Sequence, residues 1–91
     1  MCELYASADP ARYEVIRRSV RIQGVVTSLA LERQIWDLLQ EISAGEQISV
    51  AEFVSTLYQE VLDRQGEVKN LASLLRITCL TYLTDHTPGR H

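Results

Sequence analysis

The side chains best suited to bind another molecule are the arginines in the N-terminal third of the chain. Residues 12–33 carry five arginines against two glutamates, a net charge of +3, whereas residues 34–91 carry four basic residues against eight acids. Guanidinium groups bind phosphate oxygens, and clustered basic residues are typical of nucleic-acid binding. Although the whole chain has a net charge of -3, a polyanion is expected to meet this third of it. Arg17, Arg18 and Arg21 are the candidates for phosphate contact.

The same arginines admit a second interpretation, in which they protect an exposed strand edge. Charged side chains on an edge strand discourage aggregation through unpaired backbone groups. The residues leave both interpretations open, and the charge asymmetry favours phosphate contact.

Residues that could support catalysis or metal binding are few and scattered. Cys79 has no histidine or acid at the spacing of a nucleophilic dyad, so it is expected to be a packed small side chain. Trp36 falls within an apolar stripe and is expected in the core rather than as a ligand platform. His86 and His91 flank Pro88 but are too few ligands for a metal site. The sequence therefore predicts no catalytic residue, no metal site and no cofactor.

The length of 91 residues allows one domain with a thin core. The two cysteines, Cys2 and Cys79, make no disulfide framework. The first residues lack the order of a signal peptide, and no apolar run approaches the roughly 20 residues of a membrane span. These features predict a cytoplasmic protein with no membrane partner. Since small domains without metals or disulfides often pair, they also favour a homo-oligomer.

The candidate arginines lie on the first of two predicted strands, which Gly24 separates. Alternating runs cover 18–23 and 25–31, rich in β-branched residues. Because side chains alternate along a strand, one face of the second run is expected in the core and carries Val25, Thr27, Leu29 and Leu31. Val26, Ser28 and Ala30 then share the opposite face.

Three helices follow, because the hydrophobic period changes to 3.6 after Leu31. The first should end near Gly45, and its apolar stripe consists of Ile35, Trp36, Leu38, Leu39 and Ile42. The second opens with the capping-box pattern of Ser49 and Glu52 and ends before Gly66. The third runs from about Val68 to Leu83 and is apolar over most of its circumference. It is therefore expected to lie against a partner subunit as well as its own.

The second strand needs a pairing partner, because two short strands alone are marginal in water. We expect the strand of residues 25–31 to find no adequate partner within its own chain. The same strand of a second copy, related by a two-fold axis, would satisfy its unpaired edge. The sequence thus predicts an intermolecular ribbon and an obligate homodimer.

Three consecutive parts of the sequence form a recognisable pattern: the segment T-S-L-A-L-E at 27–32, a helix with the W-x-x-L spacing of Trp36 and Leu39, and the segment I-S-V-A-E-F-V at 48–54. Together they resemble the ribbon-helix-helix fold. The string at 18–32 and N-L-A-S-L-L-R at 70–76 are similar to the antitoxin-like subgroup of bacterial ribbon-helix-helix domains. The resemblance implies a mostly α fold with a short β-ribbon, an intertwined homodimer with intermolecular antiparallel strands, and an extra C-terminal helix. We assign residues 15–85 to this domain, 1–14 to an N-terminal arm and 86–91 to a C-terminal tail.

The resemblance also implies a set of DNA contacts. The paired strands would enter the major groove, with outward side chains facing the bases, and these positions are Val26, Ser28 and Ala30. The N-terminus of the second helix would meet a phosphate at Ser49 and Val50, although the capping box alone also explains Ser49. Relatives usually present a longer polar donor on the ribbon. The shorter side chains here are therefore expected to discriminate poorly between bases. The dimer core would contain Leu29, Leu31, Trp36 and Leu39.

The function that the resemblance implies is a sequence-specific DNA-binding homodimer, a bacterial transcriptional repressor or autoregulator at a palindromic operator. The alternative is an antitoxin-like interaction module with weak or no DNA binding, which would bind a protein partner through the third helix or the arm. Three features support the alternative: the net negative charge of the chain, the lack of a long polar donor on the ribbon face, and the apolar surface of the third helix.

Overall fold

The computed structural model describes residues 9–86, in which two strands precede three helices. A short 3-10 turn at Pro10–Arg12 leads into the elements, which are β1 (Val15–Ile22), β2 (Val25–Glu32), α1 (Arg33–Gly45), α2 (Val50–Gln65) and α3 (Leu71–His86). The predicted order and the mostly α fold with a β-ribbon are confirmed. The predictions made for Cys2, for His91, for the start of the arm at 1–8 and for the tail at 87–91 lie outside the described residues.

β1 and β2 form an antiparallel hairpin within one chain, with a register that runs from Ile22 opposite Val25 to Val15 opposite Glu32. Gln23 and Gly24 make the two-residue turn, and their φ angles of 53° and 80° are both positive. Two positive φ angles are the signature of the type I′ turn, whose twist matches that of paired strands.

The expectation that the strand of residues 25–31 lacks a partner in its own chain is wrong. β1 begins at Val15 rather than Arg18 and has eight residues, as β2 does, so the two strands pair along their whole length. The sequence reading missed the first three residues of β1 because Val15, Ile16 and Arg17 show no clear alternation with the residues before them. Pairing between two copies stays a prediction, since one chain is described.

The core lies between the inner face of the hairpin and the three helices. Its buried hydrophobic residues are Val20, Ile22, Leu29, Leu31, Trp36, Leu39, Val54, Leu75 and Cys79. The predicted burial of Leu29, Leu31, Trp36 and Cys79 is confirmed. Val25, predicted to face the core, is 64% exposed because it directly follows the turn at the open tip of the hairpin.

The helix boundaries follow local capping chemistry. α2 begins where the Ser49 hydroxyl accepts a hydrogen bond of 3.0 Å from the backbone N–H of Glu52, as the capping box predicts. It ends at Gly66, whose φ of 82° is left-handed. α3 begins three residues after the predicted Val68, because the Asn70 side chain accepts from the N–H of Ser73 and caps the helix there.

Polar contacts fasten α3 to the rest of the domain. The Arg76 guanidinium donates two hydrogen bonds, of 2.9 and 3.2 Å, to the carboxylate of Glu32 at the end of β2. The Tyr82 hydroxyl donates one of 2.7 Å to Glu41 on α1, and this contact raises the pKa of Tyr82. α3 is thus part of the same structural unit as the ribbon and the first two helices.

Candidate nucleic-acid interface

The outer face of the hairpin is the surface that the sequence proposes for DNA. Since partners in an antiparallel pair point to the same side, the register places eight residues together on this face: Val15, Arg17, Ser19 and Arg21 from β1, and Glu32, Ala30, Ser28 and Val26 from β2. We call this set the outer face. Six of the eight are exposed, whereas Ala30 and Glu32, at the end of β2 next to α1, are half-buried.

The strand phase predicted for β2 is confirmed. Leu29 and Leu31 are buried, whereas Ser28 is exposed and Val26 is 59% exposed. Ala30 lies on the outer face as well and is half-buried. The three residues proposed for base contact are therefore brought together on one accessible strand surface.

β1 adds two arginines to this surface. Nη1 of Arg17 lies 3.1 Å from the Ser28 hydroxyl oxygen and donates to it. Nη1 of Arg21 donates to the carbonyl oxygen of Gly24 at 3.3 Å, which places its guanidinium near the hairpin turn. The outer face consequently carries two cationic groups at different heights along the ribbon.

Arg18 lies on the opposite side of the hairpin from Arg17 and Arg21. Its guanidinium carbon is 5.0 Å from the centroid of the Trp36 ring, a cation–π distance. The Trp36 indole N–H donates to the carbonyl oxygen of Ile16 at 2.9 Å, which fixes the ring under Arg18. The structure therefore separates the three arginines that the sequence analysis grouped.

The alternation that separates these arginines was present in the sequence. Val20 and Ile22 are apolar and two residues apart, so they indicate the inner face of β1 and place Arg21 and Ser19 outward. Applied one step further, the same rule puts Arg17 outward and Arg18 inward. Ser19, which faces Ser28 across the hairpin, is the outer-face residue that the sequence reading overlooked.

The N-terminus of α2 is accessible at Ser49, whereas Val50 is half-buried. The Ser49 hydroxyl is engaged by the helix backbone, and the acidic Glu52 lies in the first turn. A carboxylate at this end of a helix stabilises it through the helix dipole and opposes a phosphate at the same place. The geometry here is fully accounted for by capping.

The outer edge of β2 presents unpaired backbone groups. In a two-residue hairpin the residues that flank the turn exchange both hydrogen bonds, and the pattern then alternates along the strands. The N–H and C=O groups of Val26, Ser28 and Ala30 consequently point away from β1. Among residues 9–86, no backbone hydrogen bond from outside the hairpin reaches these three residues.

The four residues proposed for a dimer core are already buried within one chain. Leu31 and Leu39 are 0% exposed, Trp36 is 2% exposed and Leu29 is 5% exposed. A second copy is not needed to remove them from water. Large exposed hydrophobic residues lie on the hairpin, at Val15, Val25 and Val26, and on α3, where Ile77, Leu80 and Leu83 recur at three-residue intervals and are 58%, 57% and 40% exposed.

Residues 9–86 contain no group of three or more histidine, cysteine, aspartate or glutamate side chains placed to hold a metal ion. Burial raises the pKa of the Cys79 thiol to about 11, which keeps it protonated at neutral pH. No helix in the described range is long and apolar enough to cross a membrane.

Comparison with known proteins agrees with this architecture. Residues 15–83 match a family model described as a ribbon-helix-helix domain. The chain is also similar to the solved structure of an uncharacterized protein from Bordetella pertussis Tohama I. The two are 40% identical with a TM-score of 0.92 over 100% of this chain and 73% of that chain. A comparison with curated proteins gives no match.

Proposed function

Because this chain belongs to the ribbon-helix-helix family, we propose that it is a homodimeric, sequence-specific repressor that binds a palindromic operator. The family is a DNA-binding, regulatory fold rather than an enzymatic one. The observation that carries the proposal is the outer face of the hairpin, where Arg17 and Arg21 flank the exposed hydroxyls of Ser19 and Ser28.

The unpaired edge of β2 supports the dimer. Two copies related by a two-fold axis would pair their β2 strands through the backbone groups of Val26, Ser28 and Ala30. This pairing removes the edge that a lone hairpin leaves open. It would produce a four-stranded sheet in which the two β2 strands are central and the two β1 strands are outermost.

The dimensions of this sheet suit the major groove. Strands lie about 4.8 Å apart, so the outer two would be about 14 Å apart, against a groove width of about 12 Å. The two β2 strands would enter the groove, and the β1 strands would lie over the phosphates at its borders. Arg21, on β1 and near the turn, is then a phosphate contact, whereas Arg18 faces the protein and is left out of the proposed interface.

A two-fold protein binds two equivalent half-sites, which is why a palindromic operator is proposed. A dimer bound across a promoter excludes other proteins from the same groove, and binding upstream of its own gene would make the protein an autoregulator. We propose that Ser49 and Val50 supply at most a minor phosphate contact, since Glu52 opposes it.

Two measurements test this function. Light scattering after size exclusion should give a dimer, and fluorescence anisotropy with duplex DNA at several salt concentrations should show affinity that falls as salt rises. Arg21→Ala should lower the slope of log affinity against log salt by about 1. Arg64→Ala, in the last turn of α2, is the matched control and should leave the slope unchanged. A monomer, or a protein that binds no DNA at low salt, would contradict the proposal.

A second candidate function is favoured by the exposed apolar row of Ile77, Leu80 and Leu83 on α3. Exposed apolar patches often mark protein interaction sites. In that case the chain is an antitoxin-like module that binds a protein through α3. A dimer that selects no DNA sequence from a random library would favour this candidate over the repressor.

A further inference from the structure

We propose that Arg17 is the base-reading residue of this ribbon and that Ser28 is its positioning residue. The inference rests on the proposed DNA-binding function and deepens it, because it assigns specificity to a side chain on β1 rather than to β2 itself. It differs from the expectation that the Ser28 hydroxyl contacts a base and that Arg17 contacts a phosphate.

The register shows how Arg17 reaches the middle of the ribbon. Arg17 lies opposite Ala30 on β2, and Ser28 lies opposite Ser19. The hydrogen bond of 3.1 Å from Arg17 Nη1 to Ser28 Oγ is therefore diagonal. It draws the guanidinium across from β1 onto the outer face of β2, which is the strand proposed to enter the groove.

The hydrogen bond leaves most of the guanidinium free. Arginine has five N–H donors in a planar fork, and the structure assigns a donor on Nη1 to Ser28. The remaining donors can form the bidentate contact with guanine O6 and N7, which is the commonest specific contact in the major groove. A guanidinium held in advance in one orientation also loses less entropy on binding.

Arg21 has the opposite placement, although it is the same residue type on the same face. Its Nη1 donates to the Gly24 carbonyl at 3.3 Å, so it is held at the turn of the hairpin. There it lies at the border of the proposed groove contact. The two arginines therefore contact different parts of the DNA: Arg17 contacts a base, and Arg21 contacts a phosphate.

The test is selection of binding sites from a random-sequence duplex library at fixed salt, carried out in parallel for the wild type and five variants. The wild type should enrich a site with guanine at one symmetry-related pair of positions. Arg17→Ala should lower the preference for guanine at those positions by about 5- to 150-fold. Arg21→Ala should weaken binding to every sequence and retain the same motif.

Variants at Ser28 test the positioning role. Ser28→Ala should lower the preference for guanine part of the way toward that of Arg17→Ala. Ser28→Thr should keep the wild-type preference, because threonine retains the hydroxyl. Ser73→Ala is the matched control, since it removes an exposed hydroxyl from α3, outside the outer face, and it should leave the motif unchanged. A loss of folding would alter all positions of the motif together, which separates it from the loss of one base preference.

A chemical probe in the selected site isolates the contact itself. Replacing the guanine by 7-deazaguanine removes N7, so it should weaken binding by the wild type and have no effect on Arg17→Ala. If Arg17→Ala keeps the motif and only lowers the salt slope, the inference is overturned while the proposed function stands. Equal motifs for Ser28→Ala and the wild type would overturn the role of Ser28. If the wild type enriches no sequence, the proposed function fails, and the inference fails with it.

Discussion

The Arg18 guanidinium lies 5.0 Å above the ring of Trp36, on the side of the hairpin that faces α1. Its neighbour Arg17 projects from the other side and binds Ser28. Adjacent arginines on one strand thus have different environments, because each step along a strand reverses the face. One contributes to the stability of the fold, and the other is available to a ligand.

Arg18→Ala is expected to affect stability and not the salt dependence of DNA binding. An exposed cation–π contact contributes about 0.5 to 1 kcal/mol, so the free energy of unfolding should fall by that amount. Trp36 is the only tryptophan in the chain, and its fluorescence reports both the unfolding transition and the loss of the nearby cation. A lowered salt slope for this variant would show instead that Arg18 reaches a phosphate.

Leu31→Ala should be among the most destabilising substitutions in the chain. The side chain is 0% exposed at the end of β2, and removing buried methyl groups costs about 2 to 5 kcal/mol through lost burial and the cavity that remains. Val26→Ala, on the outer face and 59% exposed, is the control and should change stability by less than about 1 kcal/mol. Urea unfolding followed by circular dichroism measures both. Comparable losses would mean that the outer face is itself buried in the functional assembly.

The ion pair between Glu32 and Arg76 should make part of the stability depend on pH. The hydrogen bonds from Arg76 hold the pKa of the Glu32 carboxyl below its ordinary value. A carboxyl with a lowered pKa in the folded state stabilises above its unfolded pKa, and this contribution is lost as pH falls through the folded value. Because both side chains are partly exposed, the contribution should not exceed about 1 kcal/mol.

Comparison of the wild type with Glu32→Gln at pH 7 and at pH 3 measures this contribution. The difference in the free energy of unfolding should shrink at the lower pH. Glu14→Gln provides the control, because its carboxylate lies 3.9 Å from Arg33 and is 63% exposed. A difference for Glu32→Gln that is equal at both pH values would contradict the assignment.

The Cys79 thiol should be unreactive in the folded protein. It is 0% exposed, and burial raises its pKa to about 11, so the reactive thiolate is scarce at pH 8. In a Cys2→Ser background, an aromatic disulfide reagent should modify Cys79 at the rate of unfolding and much faster in urea. Rapid modification of the native protein would show that the α1–α3 contact opens readily.

The sequence alone determined the elements whose signals are local. Ser49 defines the start of α2 because its hydroxyl caps an N–H three residues away. The turn at Gly24 and the burial of Leu29 and Leu31 follow from a glycine with positive φ and from strict alternation along a strand. These effects act within a few residues, so composition and period were sufficient to predict them, and with them the order of strands and helices.

Only the tertiary structure decided which residues meet across the domain. The pairing of β1 with β2 in one chain, and the diagonal contact of Arg17 with Ser28, depend on a register that both strands set together. The contact of Arg76 with Glu32 joins residues 44 positions apart. Local propensity does not predict such contacts, because the packing of the whole core selects the register and the long-range contacts. A shift of one residue in the register would exchange the two faces of the ribbon.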